Sequence, residues 1–429
     1  METSIDLKEN KMNIIMNFVR KRSTFYFSAS IALLVGFVGF IVLEWSHVIY
    51  TLSMVSNLLG MNVSYTHLAM MMPENLSYEI FALEKILVPL FFITFGISLL
   101  AGFRRIKPLV LITYSIVSIG MFTFAYFVTG YIAFPAQHYS AKFISVDEFL
   151  ISDFKDQKIG TAPSARNRAL VLEINGDARA YPISYITQSH IAGGEQIGGE
   201  DVVMTFCGLS HLSVPYVNEV NGGKLDLRVM GQFNNNLVMF DSDTHEPIHQ
   251  IKGKMHFSGT PLKELPSVVM DIDNFVKIYP EGKIYYRAPH DRNFIDNIMF
   301  SLMEYAMGEQ YDESTDELAF DTSPYLDKRL AAKERIYAIV KNGKSIVFTK
   351  EFIAEKSNGF HVMEFDDQTI AIKYFKDADY IDMFIGTDAR EVNHLGVLPD
   401  GTKLEKFRHI NQMLWRVYQN FYPESIINM

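Results

Sequence analysis

Three long runs without a charged residue, all within the first 134 residues, constrain this chain more than any other feature. They extend over Thr24–Leu43, Ile86–Phe103 and Pro108–Phe134. A helix needs about twenty predominantly apolar residues to cross a hydrocarbon core of roughly 30 Å. The sequence therefore predicts an α-helical membrane region of three spans over residues 24–136.

Positive charges lie on one side of these predicted spans. Five Lys or Arg residues precede the first run, and Arg104, Arg105 and Lys107 separate the second run from the third, whereas residues 44–79 contain no Lys or Arg. Lys and Arg are enriched in cytoplasmic loops. Residues 1–23 are therefore predicted to be a cytoplasmic tail, and three spans then place residues 140–429 outside the cytoplasm.

Two features leave alternatives to this topology. Val48–Met72 is apolar but interrupted by Asn57, Asn62 and His67, and we interpret it as an interfacial or amphipathic hairpin. If it crosses the bilayer instead, the soluble domain moves to the cytoplasm. The first run could also be a signal peptide, but it is long and lacks a small-residue cleavage site, which favours an uncleaved anchor.

Composition limits the possible partners and sites. A hydrophobic fraction of 48% and a mean hydropathy of +0.07 fit a chain with one membrane part and one water-soluble part. The net charge of -10 argues against nucleic acid, because phosphate binding needs a basic face. The expected partners are the lipid bilayer and a small molecule or protein that the sequence does not identify. The single cysteine excludes an intrachain disulfide and a multi-cysteine metal cluster.

The part after Lys142 contains a repeated pattern. Short β-type segments alternate with turn residues, which predicts a mainly β (α+β) soluble domain over residues 140–429. Arg168–Ile186 (RALVLEINGDARAYPISYI) and Arg335–Ile353 (RIYAIVKNGKSIVFTKEFI) both begin with Arg and turn at Asn-Gly, the strongest short hairpin signal. Two similar segments, FVKIYPE and VYQNFYPE, lie near the ends of the two stretches that these hairpins begin. The sequence therefore predicts two related, diverged halves at about 160–287 and 328–429. Separate origins for the two hairpins remain the alternative.

The only cysteine, Cys207, follows an apolar segment and precedes Gly208. A thiol at such a turn, with its pKa lowered by a nearby imidazole, is a nucleophile or a soft metal ligand. A free cysteine is also among the most buried residue types and packs like a small hydrophobe. The residues alone leave both interpretations open.

Histidines and amides near Cys207 supply further candidates. His190 precedes a glycine-containing loop, and His211 lies four residues after Cys207. The run Asn234–Asn236 between two apolar segments is either a plain turn or a polar loop that presents amides to a ligand. Asp241, which follows the second of these segments, is a candidate acceptor for a hydrogen bond from a base or ligand.

The order of these segments resembles a known bacterial family. The segments are Asn-Gly-Asp-Ala-Arg-Ala-Tyr-Pro, then His190, Thr-Phe-Cys-Gly-Leu-Ser, Gly-Gln-Phe-Asn-Asn-Asn-Leu-Val-Met-Phe-Asp, and Ser-Gly-Thr-Pro-Leu. They resemble, over about Arg168–Tyr286, the family named domain of unknown function thirty-one seventy-nine. In that family the cysteine segment is usually Tyr-Cys-Pro-Leu-Cys. Cys207 matches the first cysteine, but Ser210 takes the place of the second, which argues against a dithiol or two-sulfur site.

The resemblance also implies which residues act together. The family's histidine falls on His190, its Asn-Leu-Val-Met-Tyr-Asp segment falls on residues 236–241, and its following glutamine falls on Gln250. The family label supplies no activity, but the correspondence implies that Cys207 and His190 share a site.

Two classes of function follow as expectations. The first is an extracytoplasmic site with Cys207, His190 and Asp241 as catalytic residues, or with Cys207 and His190 as ligands of a soft metal such as copper. The second is a non-catalytic ligand-binding or assembly module. Its ligand-binding residues would be Asn234, Asn235, Asn236, Gln250 and His211. The sequence does not decide whether the protein is an enzyme.

Overall fold

The computed structural model of the protein describes residues 21–43, 52, 61, 74–126, 142–150, 167–286, 310–312, 314–318 and 326–429. The chain divides into two compact units, one of residues 1–52 and 71–132 and the other of residues 53–70 and 133–429. Residues 1–20 of the predicted tail, all of the predicted hairpin 48–72 except Leu52 and Met61, and the end of the third predicted span lie outside the described residues.

The first unit is helical. Its helices are α1 (Arg22–Leu43), α2 (Glu74–Ala82), α3 (Glu84–Gly102) and α4 (Pro108–Thr123). Three helical stretches, Arg22–Leu43, Glu84–Gly102 and Pro108–Tyr126, are long and apolar enough to cross a membrane. The apolar runs therefore form helices as predicted, and α2 is a separate short helix before the second of them.

Small residues let these helices approach closely. Gly36 and Gly39 lie on the buried side of α1, and a Cβ atom at Gly39 would be 2.6 Å from the ring of Tyr126. Ser98 and Tyr114 share a buried hydrogen bond of 2.7 Å between α3 and α4. Small residues and interhelical hydrogen bonds are typical of helix packing in membranes. This unit is therefore built as a membrane-spanning bundle would be.

The second unit is mostly β. Its strands in the first part are β1 (Lys142–Ser145), β2 (Arg168–Ile174), β3 (Asp177–Pro182), β4 (Ile191–Ile197), β5 (Glu200–Phe206), β6 (Ser213–Val217), β7 (Glu219–Val220), β8 (Gly223–Lys224), β9 (Leu227–Phe233), β10 (Asn236–Asp241), β11 (Glu246–His249), β12 (Lys254–Met255), β13 (Val268–Asp271) and β14 (Lys283–Tyr286). The later strands are β15 (Arg335–Lys341), β16 (Lys344–Thr349), β17 (Phe360–Phe365), β18 (Gln368–Phe375), β19 (Tyr380–Ile385), β20 (Ile410–Leu414) and β21 (Ile426–Asn428). The short helices are α5 (Val146–Leu150), α6 (Ile183–Ser189), α7 (Ile272–Ile278) and α8 (Trp415–Tyr418).

The described strands form five sheets of three to five strands and one short two-stranded ribbon, β7–β8. The sheets are ordered β1-β14-β3-β2-β13, β4-β5-β6, β12-β11-β10-β9, β20-β15-β16-β21 and β17-β18-β19. They are arranged like the blades of a five-bladed propeller. The mainly β character predicted from the sequence is thus confirmed.

Two of these sheets have the same internal order. In the first, β13 is antiparallel to β2, β2 is antiparallel to β3, and β3 is parallel to β14. In the second, β20, β15, β16 and β21 repeat these directions in the same order. Both central hairpins turn at Asn-Gly, with φ of 52° at Asn175 and 51° at Asn342. Asn and Gly tolerate this left-handed conformation, which is why both turns form as predicted.

The sheet β17-β18-β19 contributes to two apolar clusters. One cluster joins Val171 of β2 and Phe275 of α7 to Phe384 of β19. The other joins Tyr337 and Phe348 of β15 and β16 to the opposite side of the same sheet. The burial of these side chains holds the two similar sheets in one unit.

Candidate functional site

Cys207 lies directly after β5, in a turn that leads to β6. The turn is closed by the Cys207 N–H, which donates to the Leu212 carbonyl over 2.9 Å. The side chain is completely buried, and its sulfur donates to the Asn235 carbonyl at 3.7 Å. Burial raises the pKa of the thiol, an effect that hydrogen bonds from Ser210 and from nearby backbone groups only partly oppose. The thiol is therefore protonated at neutral pH.

A buried amide network joins this turn to the neighbouring sheet. Asn236 Nδ2 donates to Ser210 Oγ at 3.1 Å and to Gln250 Oε1 at 3.2 Å. Gln250 Nε2 donates to Thr205 Oγ1 at 3.0 Å, and Asn236 Oδ1 accepts from the Ile251 N–H at 3.1 Å. All four side chains are fully buried. Their polar groups bond to one another, so the network fixes the turn that contains Cys207.

The asparagine run is a tight turn between β9 and β10. Asn234 and Asn235 have φ of 51° and 58°, the two left-handed positions that a type I′ hairpin needs. Asn234 is half-buried, whereas Asn235 and Asn236 are fully buried. The run therefore forms the turn that was one of its two interpretations, and the turn geometry places Asn236 in the network.

The other predicted catalytic residues are held by their own turns. His190 ends α6 with φ of 60°, and its carbonyl accepts a 2.7 Å bond from Phe206 N–H, next to Cys207. Asp241 is the last residue of β10, about 17 Å along the strand from Asn236 at 3.3 to 3.4 Å per residue. Its carboxylate accepts bonds from the Asp226 N–H at 2.9 Å and from Thr244. The backbone thus brings His190 beside the cysteine strand, while Asp241 caps a distant turn.

His211 lies in the cysteine turn with a buried imidazole that stacks on Tyr311, the ring centroids 4.7 Å apart. Burial, with the charges of Arg168 and Lys333, lowers its pKa to about 3. Nε2 of His211 has no hydrogen-bond partner among the described residues. The ring is therefore neutral throughout the physiological range.

No group of three or more His, Cys, Asp or Glu side chains in the described part of the chain has the arrangement of a metal site. A set of Cys207 and His190 would supply two ligands, and structural zinc sites use four and catalytic ones three. A soft metal at this position would need further ligands from elsewhere.

A cleft of about 780 Å³ opens near this turn, where the two similar sheets approach each other. Its lining residues are Arg168, Val269, Met270, Asp271, Ser314, Thr315, Asp316, Ala331, Lys333, Glu334, Arg335, Tyr337, Lys350, Asp379 and Gln412. Val269, Met270, Tyr337 and Gln412 are buried, and four basic and four acidic side chains surround them. Apolar surface with a few converging polar groups is typical of small-molecule sites.

The cleft and the cysteine turn share a strand. Leu414 N–H of β20 donates to the Ser210 carbonyl at 2.9 Å, and Gln412 of the same strand lines the cleft. Arg168 and Lys333, which also line the cleft, are the two cations that lower the pKa of His211. The cysteine turn therefore lies just behind one wall of the cleft.

None of the cleft residues was among the side chains singled out in the sequence. One signal was present, because Arg168 and Arg335 are the first residues of the two matching hairpins. Both arginines line the cleft. The match indicated related hairpins, but which strands meet depends on long-range pairing that no local pattern encodes.

Comparison with known proteins gives one family. Residues 160–425 match the family described as Protein of unknown function (DUF3179). No curated protein and no solved structure matches the chain.

Proposed function

The chain belongs to the family described as Protein of unknown function (DUF3179), and from the geometry we propose that it is a membrane-anchored ligand-binding protein whose β unit lies outside the cytoplasm. The cleft of about 780 Å³ carries this proposal. It lies within the usual range of ligand pockets, about 300–1,000 Å³, and it has buried apolar surface with charged groups around it.

The proposed anchoring and orientation depend on the helical unit. Three helices have the length and composition of membrane spans. Lys and Arg residues precede the first and separate the second from the third, which favours a cytoplasmic N-terminus. An odd number of spans then gives an extracytoplasmic β unit. Glycosylation or protease-protection mapping of the full chain in membranes tests this side assignment.

The proposed duplication of the β unit is supported by the matched sheets. Strands β13-β2-β3-β14 and β20-β15-β16-β21 share order and direction, and a short helix follows both β13 and β20. A common unit explains these shared features together with the Arg and Asn-Gly positions. The cleft then lies between the two copies, as ligand sites commonly lie between domains.

A second candidate is the thiol or soft-metal site of Cys207, with His190 and Asp241 as its predicted partners. The observation that favours it is that the His190 carbonyl bonds to Phe206 N–H, which brings the histidine backbone against the residue before Cys207. Cys207→Ala should then abolish activity or metal content without unfolding the protein. Rapid alkylation of native Cys207, or copper in purified protein that Cys207→Ala lacks, would favour this candidate over binding alone.

The test of the binding proposal is thermal unfolding of the full chain in detergent with a broad panel of small polar metabolites. A ligand at 100 times its Kd stabilises the folded state by about 2.7 kcal/mol. We expect at least one panel member to raise the melting temperature in both the unsubstituted protein and Cys207→Ala. Stabilisation that disappears in Cys207→Ala, or a panel without any stabilising member, would contradict the proposal.

A further inference from the structure

We propose that the cleft binds a small uncharged ligand rich in hydroxyl groups, a sugar or polyol, one of whose O–H groups donates to the side-chain oxygen of Gln412. This inference rests on the proposed binding function and names the chemical class of the ligand. Its source is either a free solute or the sugar headgroup of a lipid, because both present the same hydroxyl groups.

The cleft lies where the equivalent edge strands of the two similar sheets meet. Val269 and Met270 of β13 and Gln412 of β20 all line it. Gln412 Nε2 donates to the Val269 carbonyl at 3.2 Å, which joins the two edges within the lining of the cleft. Gln412 is therefore held at the junction of both sheets.

A β-bulge brings Gln412 to this position. In the pairing of β15 with β20 the register shifts at Tyr337, so that two residues of β20, Asn411 and Gln412, stand opposite one residue of β15. Gln412 has a φ of 57°, which costs energy for a residue other than glycine. The equivalent pairing of β2 with β13 runs without such a shift. Bulges re-aim side chains and are over-represented beside functional sites, and here the bulge coincides with a residue that lines the cleft.

Gln412 also carries a buried hydrogen-bond acceptor that lacks a donor. The residue is 5% exposed, and its Oε1 has no partner among the described residues. The Val269 carbonyl can only accept, so it holds the amide with Nε2 toward itself and fixes Oε1 as the atom left over. A buried acceptor without a donor is unfavourable, so an O–H group of a ligand would satisfy it.

Charged side chains of the cleft are engaged with the protein itself. Lys350 and Asp379 form an ion pair with each other. Arg168 is in register with Asp271 on the neighbouring strand, and both Arg168 and Arg335 have interactions of their own within the chain. A ligand with a net charge would have to compete with these partners.

The segment that precedes β15 is satisfied in a similar way. Lys333 Nζ donates to the Asp312 carbonyl at 2.8 Å and to Thr315 Oγ1 at 3.2 Å. The Asp316 carboxylate accepts from the Lys333 N–H at 2.9 Å. Burial raises the pKa of Glu334, which favours its uncharged form. This side of the cleft therefore offers hydrogen-bonding groups more than it offers a charge for a ligand to neutralise.

Hydroxyl groups fit such a lining better than a charged ligand does. A hydroxyl has one donor and two acceptor lone pairs, whereas a carboxylate has about four lone-pair sites and a guanidinium has five N–H donors. Ligand hydroxyls can therefore bond to ion-paired side chains without displacing their partners. A charged ligand would displace a partner or remain unpaired itself, and both are costly in a site shielded from water. Val269 and Met270 supply apolar surface for the C–H groups of the same ligand.

The test is calorimetric titration of the full chain in an amine-oxide detergent, which carries no sugar headgroup. The neutral polyols are glucose, sucrose and myo-inositol. Glucosamine and glucuronate are the charged comparisons, and N-acetylglycinamide is a neutral solute with N–H donors but without hydroxyls. We expect at least one neutral polyol to bind about tenfold or more tightly than each of these three comparisons, because a site built for O–H groups rejects ligands that lack them or that bring an unpaired charge.

A second titration identifies the source of the ligand. The protein is placed in nanodiscs with and without a monoglucosyl lipid, and the best polyol is titrated into both. Weaker apparent binding in the discs that contain the glycolipid would show that the headgroup competes for the cleft. Equal binding in both would assign a free solute, and either result supports the proposal.

Substitution of Gln412 tests the assigned contact. Gln412→Asn keeps a residue that tolerates positive φ but withdraws the amide oxygen, and it should weaken polyol binding about tenfold. The matched control is Gln196→Asn, which shortens an exposed amide outside the cleft and should leave the affinity unchanged. The melting temperatures of the two unliganded variants verify that both are folded.

Two opposed variants test the role of the ion pair and do not depend on the folding of Gln412→Asn. Lys350→Gln leaves Asp379 without its cation and should raise the affinity for glucosamine relative to glucose. Asp379→Asn, which keeps a residue that tolerates its φ of 52°, should raise the affinity for glucuronate relative to glucose. A charge preference unaltered by both variants would contradict the idea that internal pairing makes the cleft select a neutral ligand.

The outcomes separate this inference from the proposed function. If glucosamine, glucuronate or N-acetylglycinamide binds as tightly as the polyols and Gln412→Asn weakens that binding, the cleft is a ligand site but the assigned class is wrong. If polyols bind equally well to Gln412→Asn, the assigned contact is wrong. If no polyol binds in detergent or nanodiscs, the inference is overturned, while the metabolite panel tests the binding function separately.

Discussion

The first and second halves of the β unit share a four-strand frame but hold their inserted segments in different ways. The frame is β13-β2-β3-β14 in the first half and β20-β15-β16-β21 in the second. In the first half, the insert between β3 and β13 contains a buried network of neutral amides and hydroxyls, among them Asn236 and Gln250. In the second half, the insert between β16 and β20 contains a buried ion pair, Lys406 with Asp382 at 3.2 Å. Lys406 also approaches Glu173 of the first half at 3.9 Å.

This difference shows what the frame strands and the inserts each require. The frame strands must pair in one register, and both frames contain an Asn-Gly turn at which the hairpin reverses. The inserts need only bury their polar groups with partners, which a neutral network and an ion pair can both achieve. The chemistry near Cys207 therefore belongs to one half, while the cleft draws on both.

The largest expected loss of stability comes from breaking the ion pair of the second half. Lys406→Met leaves Asp382 and Glu173, with side chains 1% and 3% exposed, without this cation. Breaking a buried pair by removing one partner costs about 3–5 kcal/mol. Guanidinium unfolding of the full chain in detergent measures the loss. Lys403→Met is the matched control, because Lys403 is half-exposed where it meets Glu173 and should cost less than about 1 kcal/mol.

Breaking the amide network of the first half should destabilise the protein slightly less than breaking the ion pair of the second half. Asn236→Ala removes the donor to Ser210 and Gln250 and the acceptor for Ile251 N–H. Leaving buried polar groups unpaired costs about 1–3 kcal/mol, and we expect a loss near the upper end of that range. Asn234→Gly, in the same turn but half-buried, should be nearly neutral. Equal losses in the two variants would mean that the turn, and not the network, holds this insert.

The acid sensitivity of the first half should depend on His211. Its folded pKa of about 3 lies below an unfolded value of about 6.5, so the unfolded state binds the proton first. Stability from the neutral imidazole is fully present above about pH 6.5 and falls as the pH drops toward 3, by about 2 kcal/mol at pH 5.

The measurement is unfolding at pH 7 and pH 5 for the unsubstituted protein and for His211→Asn, which keeps a residue that tolerates φ of 59°. The substituted protein should lose less stability between the two pH values. His361→Asn, in the second half, is the comparison, because His361 is only part-buried. A pH response that is the same with and without His211 would refute the prediction.

The smallest expected changes in unfolding free energy come from substitutions in the two hairpin turns. Gly176 and Gly343 have φ of 85° and 77°, and a Cβ atom at either position would meet nothing within 4 Å. Alanine at either position should therefore cost only the backbone strain, about 1–2 kcal/mol. Nearly equal changes in unfolding free energy would indicate that the two turns have the same structural role. A cost confined to one turn would show that the two halves differ in their frames as well as in their inserts.

Local patterns predicted several features correctly. The apolar runs form helices, and the two Asn-Gly sites form hairpins, because run length and turn conformation depend on neighbouring residues alone. Local patterns could not predict the hydrogen-bond partners of Cys207 and Asp241. Cys207 Sγ donates to the carbonyl of Asn235, 28 residues away, and the Asp241 carboxylate accepts from Thr244 in the next turn and from the Asp226 N–H. The cysteine and His190 remain a predicted pair whose role the proposed variants test.

The sequence by itself determined the membrane-type helices, the β character of the remainder and the turns that start each frame, since these depend on hydrophobic length and local backbone preference. Only the tertiary structure decided that Arg168 and Arg335, 167 positions apart, line one cleft and that the single thiol is buried beside amides. The physical reason is that sheet edges meet through long-range pairing and packing. Those contacts depend on the whole chain folding together.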